Sequence, residues 1–219
     1  TGSLKRPESV TSIGESAFSG CFGFTGSLYL PDSITSIGKN AFSKCSGFTG
    51  SLTLSKRIFK VDYNTFFGCS GFSGCLNIPE SISVIENYAF AGCSGFKGQL
   101  NLHNYLGIIK NHAFSECSGF IGTLVLPDLL FYLGDFAFSG CSGFHGSITI
   151  PEKLNCIHRG VFYKCFGFNG SLALPVSLAF IDDKAFYNCT NLQAIIFEGD
   201  IPKLGDDVMN SNVCIIYDD

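Results

Sequence analysis

Apolar positions along the chain follow two alternating rules. In Gly26-Ser27-Leu28-Tyr29-Leu30-Pro31 they alternate with polar ones, the period-two pattern of a strand with one buried face. Ile34 and Ile37 then turn inward three residues apart, and Ala41, Phe42 and Cys45 suit a single turn of tight helix, 3₁₀ or short α. Pro31 closes the strand because it has no N–H to give to a ladder. Pro7, Pro79, Pro127, Pro151 and Pro175 take the same place, with Ser55 and His103 as exceptions.

The whole pattern recurs every 24 residues, with Phe18, Phe42, Phe66, Phe90, Phe114, Phe138, Phe162 and Phe186 at one position and a Cys always three places later, from Cys21 to Cys189. A period of this size means a solenoid, in which each repeat is one coil that buries its apolar side chains only against its neighbours. The expected fold is mostly β, with a parallel sheet on one face and short 3₁₀ or α turns opposite. The Phe column and a second one, Phe24 to Phe168, are expected as two core spines rather than an aromatic binding surface.

Two glycine columns carry conformational expectations. Gly23, Gly47, Gly71, Gly95, Gly119, Gly143 and Gly167 share a column with Asn191, and Gly and Asn are the residues that accept a left-handed backbone, so a positive-φ turn is expected there. The column from Gly26 to Gly170 is missing from the last repeat, where Ile195 and Phe197 stand at the Leu28 and Leu30 positions one residue early. That extra Gly is expected to form a one-residue bulge entering each strand.

Composition then limits what the coils can do. The hydrophobic fraction is 46%, yet the longest apolar run, Leu129 to Leu133, is far shorter than the roughly 20 residues of a membrane span. No signal peptide opens the chain, and Thr1 falls inside a repeat, so a longer native protein is expected. The tail from Glu198 holds six acidic residues against Lys203, which leaves the repeats nearly neutral. With charged residues at 15% and only one tight basic group (Lys56, Arg57, Lys60), there is no electrostatic footprint for nucleic acid.

Eight of the eleven Cys occupy one periodic column. Parallel side chains about 5 Å apart suit a buried ladder of reduced thiols better than disulfides. Cys75, Cys156 and Cys214 fall in different repeats with no obvious pairing. His103, His112, His145 and His158 show no His-x-x-x-His or Glu-x-x-His spacing, no Cys-x-x-Cys occurs, and the Gly-rich segments lack a phosphate-loop ending. Neither catalytic residues, a metal site nor a cofactor is expected. Asn169-Gly170-Ser171 and Asn188-Cys189-Thr190 are glycosylation triplets that do not decide secretion.

What varies while the columns stay fixed is the outward strand face, where recognition usually resides on a rigid scaffold. The central coil departs most from the repeat rule. The candidate binding residues are therefore Tyr29, Thr53, Asn77, Gln99, Asn101, His103 and Tyr105.

The motif Leu-x-Leu-Pro-x-x-Ile-x-x-Ile-Gly-x-x-Ala-Phe-x-x-Cys resembles the BspA-like, Treponema-type leucine-rich repeats over Gly2 to Phe197. The resemblance implies a horseshoe-like solenoid of eight coils over residues 1–197, the last one shortened, and a closing half-coil over 198–219. Its 24-residue coils exceed the family's usual length by the extra Gly. The resemblance also implies a non-enzymatic, adhesin-like module, cell-surface or secreted, that binds a host protein such as an extracellular-matrix component. A structural repeat without a ligand is the alternative. Carbohydrate binding through Tyr29, Asn77, Asn101 and Tyr105 is a third.

Overall fold

The computed structural model describes Gly2 and residues 9–217; Leu4 and Pro7 at one end, and Asp218 and Asp219 at the other, lie outside them. The chain winds as a β-solenoid with two ladders of short parallel strands. One ladder uses the Leu-x-Leu segments, pairing Leu28–Tyr29 with Leu52–Thr53 and Leu76–Asn77 with Leu100–Asn101. The other uses the segment ending in the second inward aliphatic, from Ser12–Ile13 through Ile108–Ile109 to Lys203–Leu204, nine strands among the described residues. Both alternate as the pattern requires: Leu28 is buried and Tyr29 exposed, Ser36 exposed and Ile37 buried.

Between the ladders lies one continuous core. Consecutive rings of the first Phe spine stack with centroids 5.2 to 6.1 Å apart, and the second spine meets the first edge to face, as at Phe42 and Phe48. Aromatic pairs favour both arrangements because they offset the ring quadrupoles. Phe42, Phe66, Phe90 and Phe114 have no exposed surface.

The Cys column is free and mostly buried, and it does more than fill space. Cys69 donates its S–H to the Phe42 carbonyl at 3.0 Å, and the same bond recurs from Cys93 to Phe66 and from Cys117 to Phe90. Each acceptor lies one coil and three residues back. Burial pushes the Cys45 thiol up to about 11 and those of Cys117 and Cys189 up to about 12, so the ladder stays protonated and able to donate.

The turns opposite the Leu strands differ from expectation. No helix forms among the described residues. Ala41, Ser43 and Cys45 do donate to Gly38, Asn40 and Phe42, the span of a 3₁₀ turn. The intervening Asn40, Phe42 and Lys44 instead donate to Tyr63, Thr65 and Phe67 of the next coil. Asn40 and Lys44 take φ of 55° and 60°, which breaks the helical path and turns alternate N–H groups toward the neighbouring coil. Both left-handed columns run the length of the solenoid, the first through Ser16, Asn64, Tyr88, His112, Phe136, Gly160 and Lys184, the second through Gly20, Gly68, Gly92, Glu116, Gly140, Lys164 and Asn188.

The glycine column after the Cys is therefore not left-handed, and the expectation of positive φ there is corrected. A Cβ on Gly47 would lie 2.0 Å from the Phe22 carbonyl oxygen and 2.4 Å from that of Phe24. Glycine is required by the close approach of the previous coil. Asn191, the exception, turns its Nδ2 toward the corresponding Phe166 carbonyl and donates to it at 2.7 Å.

The Gly26 column does mark an irregularity. Gly122 bridges Phe144 while Val125 bridges Thr149, so the pairing offset changes across the glycine. In the last repeat the break is smaller, between Gly170 and Ser171. Beyond it, Leu192–Phe197 pairs with Gly170–Leu174 on one side and Cys214–Tyr217 on the other. Cys214–Tyr217 is exposed along its whole length.

Candidate functional site

Strand alternation sends Tyr29, Thr53, Asn77, Gln99 and Asn101 outward, and all five are exposed. Parallel register sets Tyr29 beside Thr53 and Asn77 beside Asn101. Asn101 Nδ2 donates to Asn77 Oδ1 at 2.6 Å, joining two side chains into a carboxamide ladder. Ser51 Oγ donates to Ser27 Oγ at 3.3 Å in the neighbouring column.

Thr53, Asn77, Asn101 and His103 line one groove of about 680 Å³, together with Lys56 and Glu80. Its floor is apolar where Leu54 and Ile78 meet Pro79. Tyr105 lines an adjoining hollow of about 420 Å³ with Glu80, His103, Asn104, Asp128 and Leu129. Gln99 shares the outward face but does not line the groove, and Tyr29 lies to its N-terminal side, on the preceding coil.

His103 has a second role. It replaces the strand-ending Pro, and its ring Nδ1 accepts from the Tyr105 N–H at 3.2 Å while Nε2–H donates to the Ile82 carbonyl at 3.0 Å. Ser55, the other replacement, makes the same two bonds, to the Arg57 N–H and the Ile34 carbonyl. Both ring nitrogens of His103 are thus engaged with backbone, and it offers the groove its ring edge.

Lys56 and Glu80 were not among the residues expected at the site. Each follows the strand-closing position by one residue, where the chain folds back over the strand end. The basic trio is divided: Lys56 faces the groove, whereas Lys60 on the second ladder pairs with Asp62 at 2.9 Å.

The solenoid and its paired ladders define a leucine-rich repeat protein. The model of the BspA type leucine-rich repeat region matches in six copies over residues 2–121, 74–168 and 108–216, and the chain belongs to that family. A leucine-rich repeat protein from Bacteroides ovatus superposes with a TM-score of 0.74 at 26% identity, over 95% of this chain and 59% of that one. The chain thus spans about three-fifths of that protein's length. The T. pallidum leucine-rich repeat protein aligns with a TM-score of 0.55 at 24% identity, covering 84% of this chain and 72% of its own. The pneumococcal vaccine antigen PcpA gives 0.55 at 17%, covering 96% and 61%; at such identities the likeness is one of fold. No curated protein matches the chain. Among the described residues no helix is long and apolar enough to cross a membrane.

Proposed function

We propose that this chain is a non-enzymatic protein-binding module, carried on a cell surface or secreted, whose outward strand face engages a host or matrix protein. The observation that carries the reading is the groove: Thr53, Asn77 and Asn101 project from a scaffold fixed by stacked Phe rings, over an apolar floor and between Lys56 and Glu80. A preordered surface binds at a low entropic cost because its side chains need little further ordering. The division into a solenoid over 1–197 and a closing half-coil over 198–219 belongs to the same proposal.

The test is a pull-down from matrix and serum proteins with the folded chain, followed by affinity measurement on variants. Asn77→Ala with Asn101→Ala should weaken capture at least thirtyfold, about 2 kcal/mol for a hot spot, without lowering thermal stability. Unchanged affinity would remove the groove from the interface. An assembly role without a ligand is the competing reading, favoured by the exposed strand Cys214–Tyr217; self-association lost on replacing Ile215 and Ile216 by Lys would support it.

A further inference from the structure

The second ladder carries a row of polar side chains just after its buried aliphatics, and along most of it opposite charges are matched. Lys60 pairs with Asp62 at 2.9 Å, Lys110 with Glu86 at 2.9 Å, and Arg159 with Asp183. Asp135 and Asp182 break the rule. No Lys or Arg of the described residues forms a salt bridge with either, and between them stands one imidazole, His158, with Nδ1 3.9 Å from Asp135 Oδ1.

Donor atoms of Asp135, His158 and Asp182 lie within 4.8 Å of one another, and all three side chains are half-buried. Their sequence separations are 24 residues, one full solenoid step, from His158 to Asp182 and 23, one residue short of it, from Asp135 to His158, so three successive coils contribute one donor each. A separation of 3.9 Å is too long for a hydrogen bond. It is close to the edge of about 3.3 Å between donors held roughly 2.0 Å from a tetrahedral ion. The supports are in place: Asp183 N–H donates to Asp182 Oδ1 at 2.7 Å, Asp135 N–H donates to Asn111 Oδ1 at 3.1 Å, and the Tyr132 ring lies 5.3 Å from that of His158.

We propose that Asp135, His158 and Asp182 form a binding site for a divalent metal ion of the zinc type. Asp135 and Asp182 bring two carboxylates to one imidazole, while the nearest guanidinium, Arg159, is engaged by Asp183. One nitrogen and two oxygen donors form a borderline set suited to such ions, leaving a fourth position open to water. The ion would tie three adjacent coils together at the edge.

Zn²⁺ would be titrated calorimetrically into the folded chain carrying Cys75→Ser and Cys214→Ser, which removes the two exposed thiols as competing ligands. One ion per chain is expected, together with a rise in unfolding temperature, since a ligand that binds only the folded state stabilises it. His158→Ala and Asp182→Asn should each lower the affinity at least tenfold and abolish the temperature rise, while Asp62→Asn leaves both unchanged. Absence of binding in the parent, or binding that survives both site substitutions, overturns the proposal. Circular dichroism of each variant separates loss of the site from loss of the fold.

Discussion

The interior coils and the last one solve the same stacking problem differently. In the interior the Leu strands are only two residues long, as at Leu52–Thr53 and Leu76–Asn77, and the aromatic spines run through every rung. At the end the second spine gives way to Leu192, and the first stops at Phe186. There the strands lengthen to five residues at Gly170–Leu174 and six at Leu192–Phe197. Main-chain pairing grows where ring stacking ends. Interior coils are therefore joined by side-chain ladders together with main-chain bonds at the turns and short strands, and the inserted Gly is tolerated because no long unbroken sheet is needed.

The largest effect expected from breaking this contrast is at an interior ring. Phe114 stacks on Phe90 and Phe138 at 5.4 and 5.2 Å, and Phe114→Ala should cost about 3–5 kcal/mol in a reversible denaturation series. Phe197→Ala in the last coil should cost less, since its ring meets only Tyr217 among the stacked pairs, at 6.4 Å. Equal losses would show that the spines are not what distinguishes the interior.

Next comes the glycine column. A Cβ on Gly95 would lie 2.1 Å from the Ser70 carbonyl oxygen, so Gly95→Ala should cost about 1–3 kcal/mol through overpacking. Asn191→Gly, at the equivalent place in the last coil, removes one hydrogen bond and should cost about 1 kcal/mol. Thermal melts of the two variants compare the coils directly.

Thiol labelling gives a further, kinetic comparison. In the folded protein Cys75 and Cys214 should react first and the half-buried Cys21 and Cys156 more slowly, with the buried column silent until unfolding exposes all eleven. Rapid labelling of Cys117 would show that the column opens to solvent.

The smallest effect expected is a pH dependence. His112 stacks between Tyr88 and Phe136 at 4.6 and 5.1 Å. Burial lowers its pKa, against a weaker raising influence from Asp135. The unfolded chain then binds more protons than the folded one as pH falls below the ordinary histidine range near 6.5, and stability decreases there until the lowered folded value is passed. His112→Phe, which keeps an aromatic ring in the stack, should flatten that slope.

The Phe and Cys ladders were legible in the sequence because each rung repeats the same side chain for the same reason. Thr53, Asn77 and Asn101 were legible from strand alternation. Lys56 and Glu80 were not, because their position depends on how the chain folds back after the strand. The left-handed columns escaped because main-chain bonds between coils fix them, so Asn40, Tyr88, Phe136 and Lys184 all serve; Gly20, Gly68, Gly92 and Gly140 were the available signal. The Asp135–His158–Asp182 cluster escaped a search for close ligand spacings, since in a solenoid the meaningful interval is one coil.

The main-chain bonds between neighbouring coils have one more consequence. The donor of Phe42 reaches Thr65, that of Phe66 reaches Ala89, and that of Phe90 reaches Ala113, always across the same interval. Length is thereby quantised: removing residues 93–116 as a block would bring each donor to an acceptor of the same kind, whereas removing half as many would set strands against turns. A chain built this way can lengthen or shorten by whole coils without redesigning its interior, and the span of its outward face is set by the number of repeats.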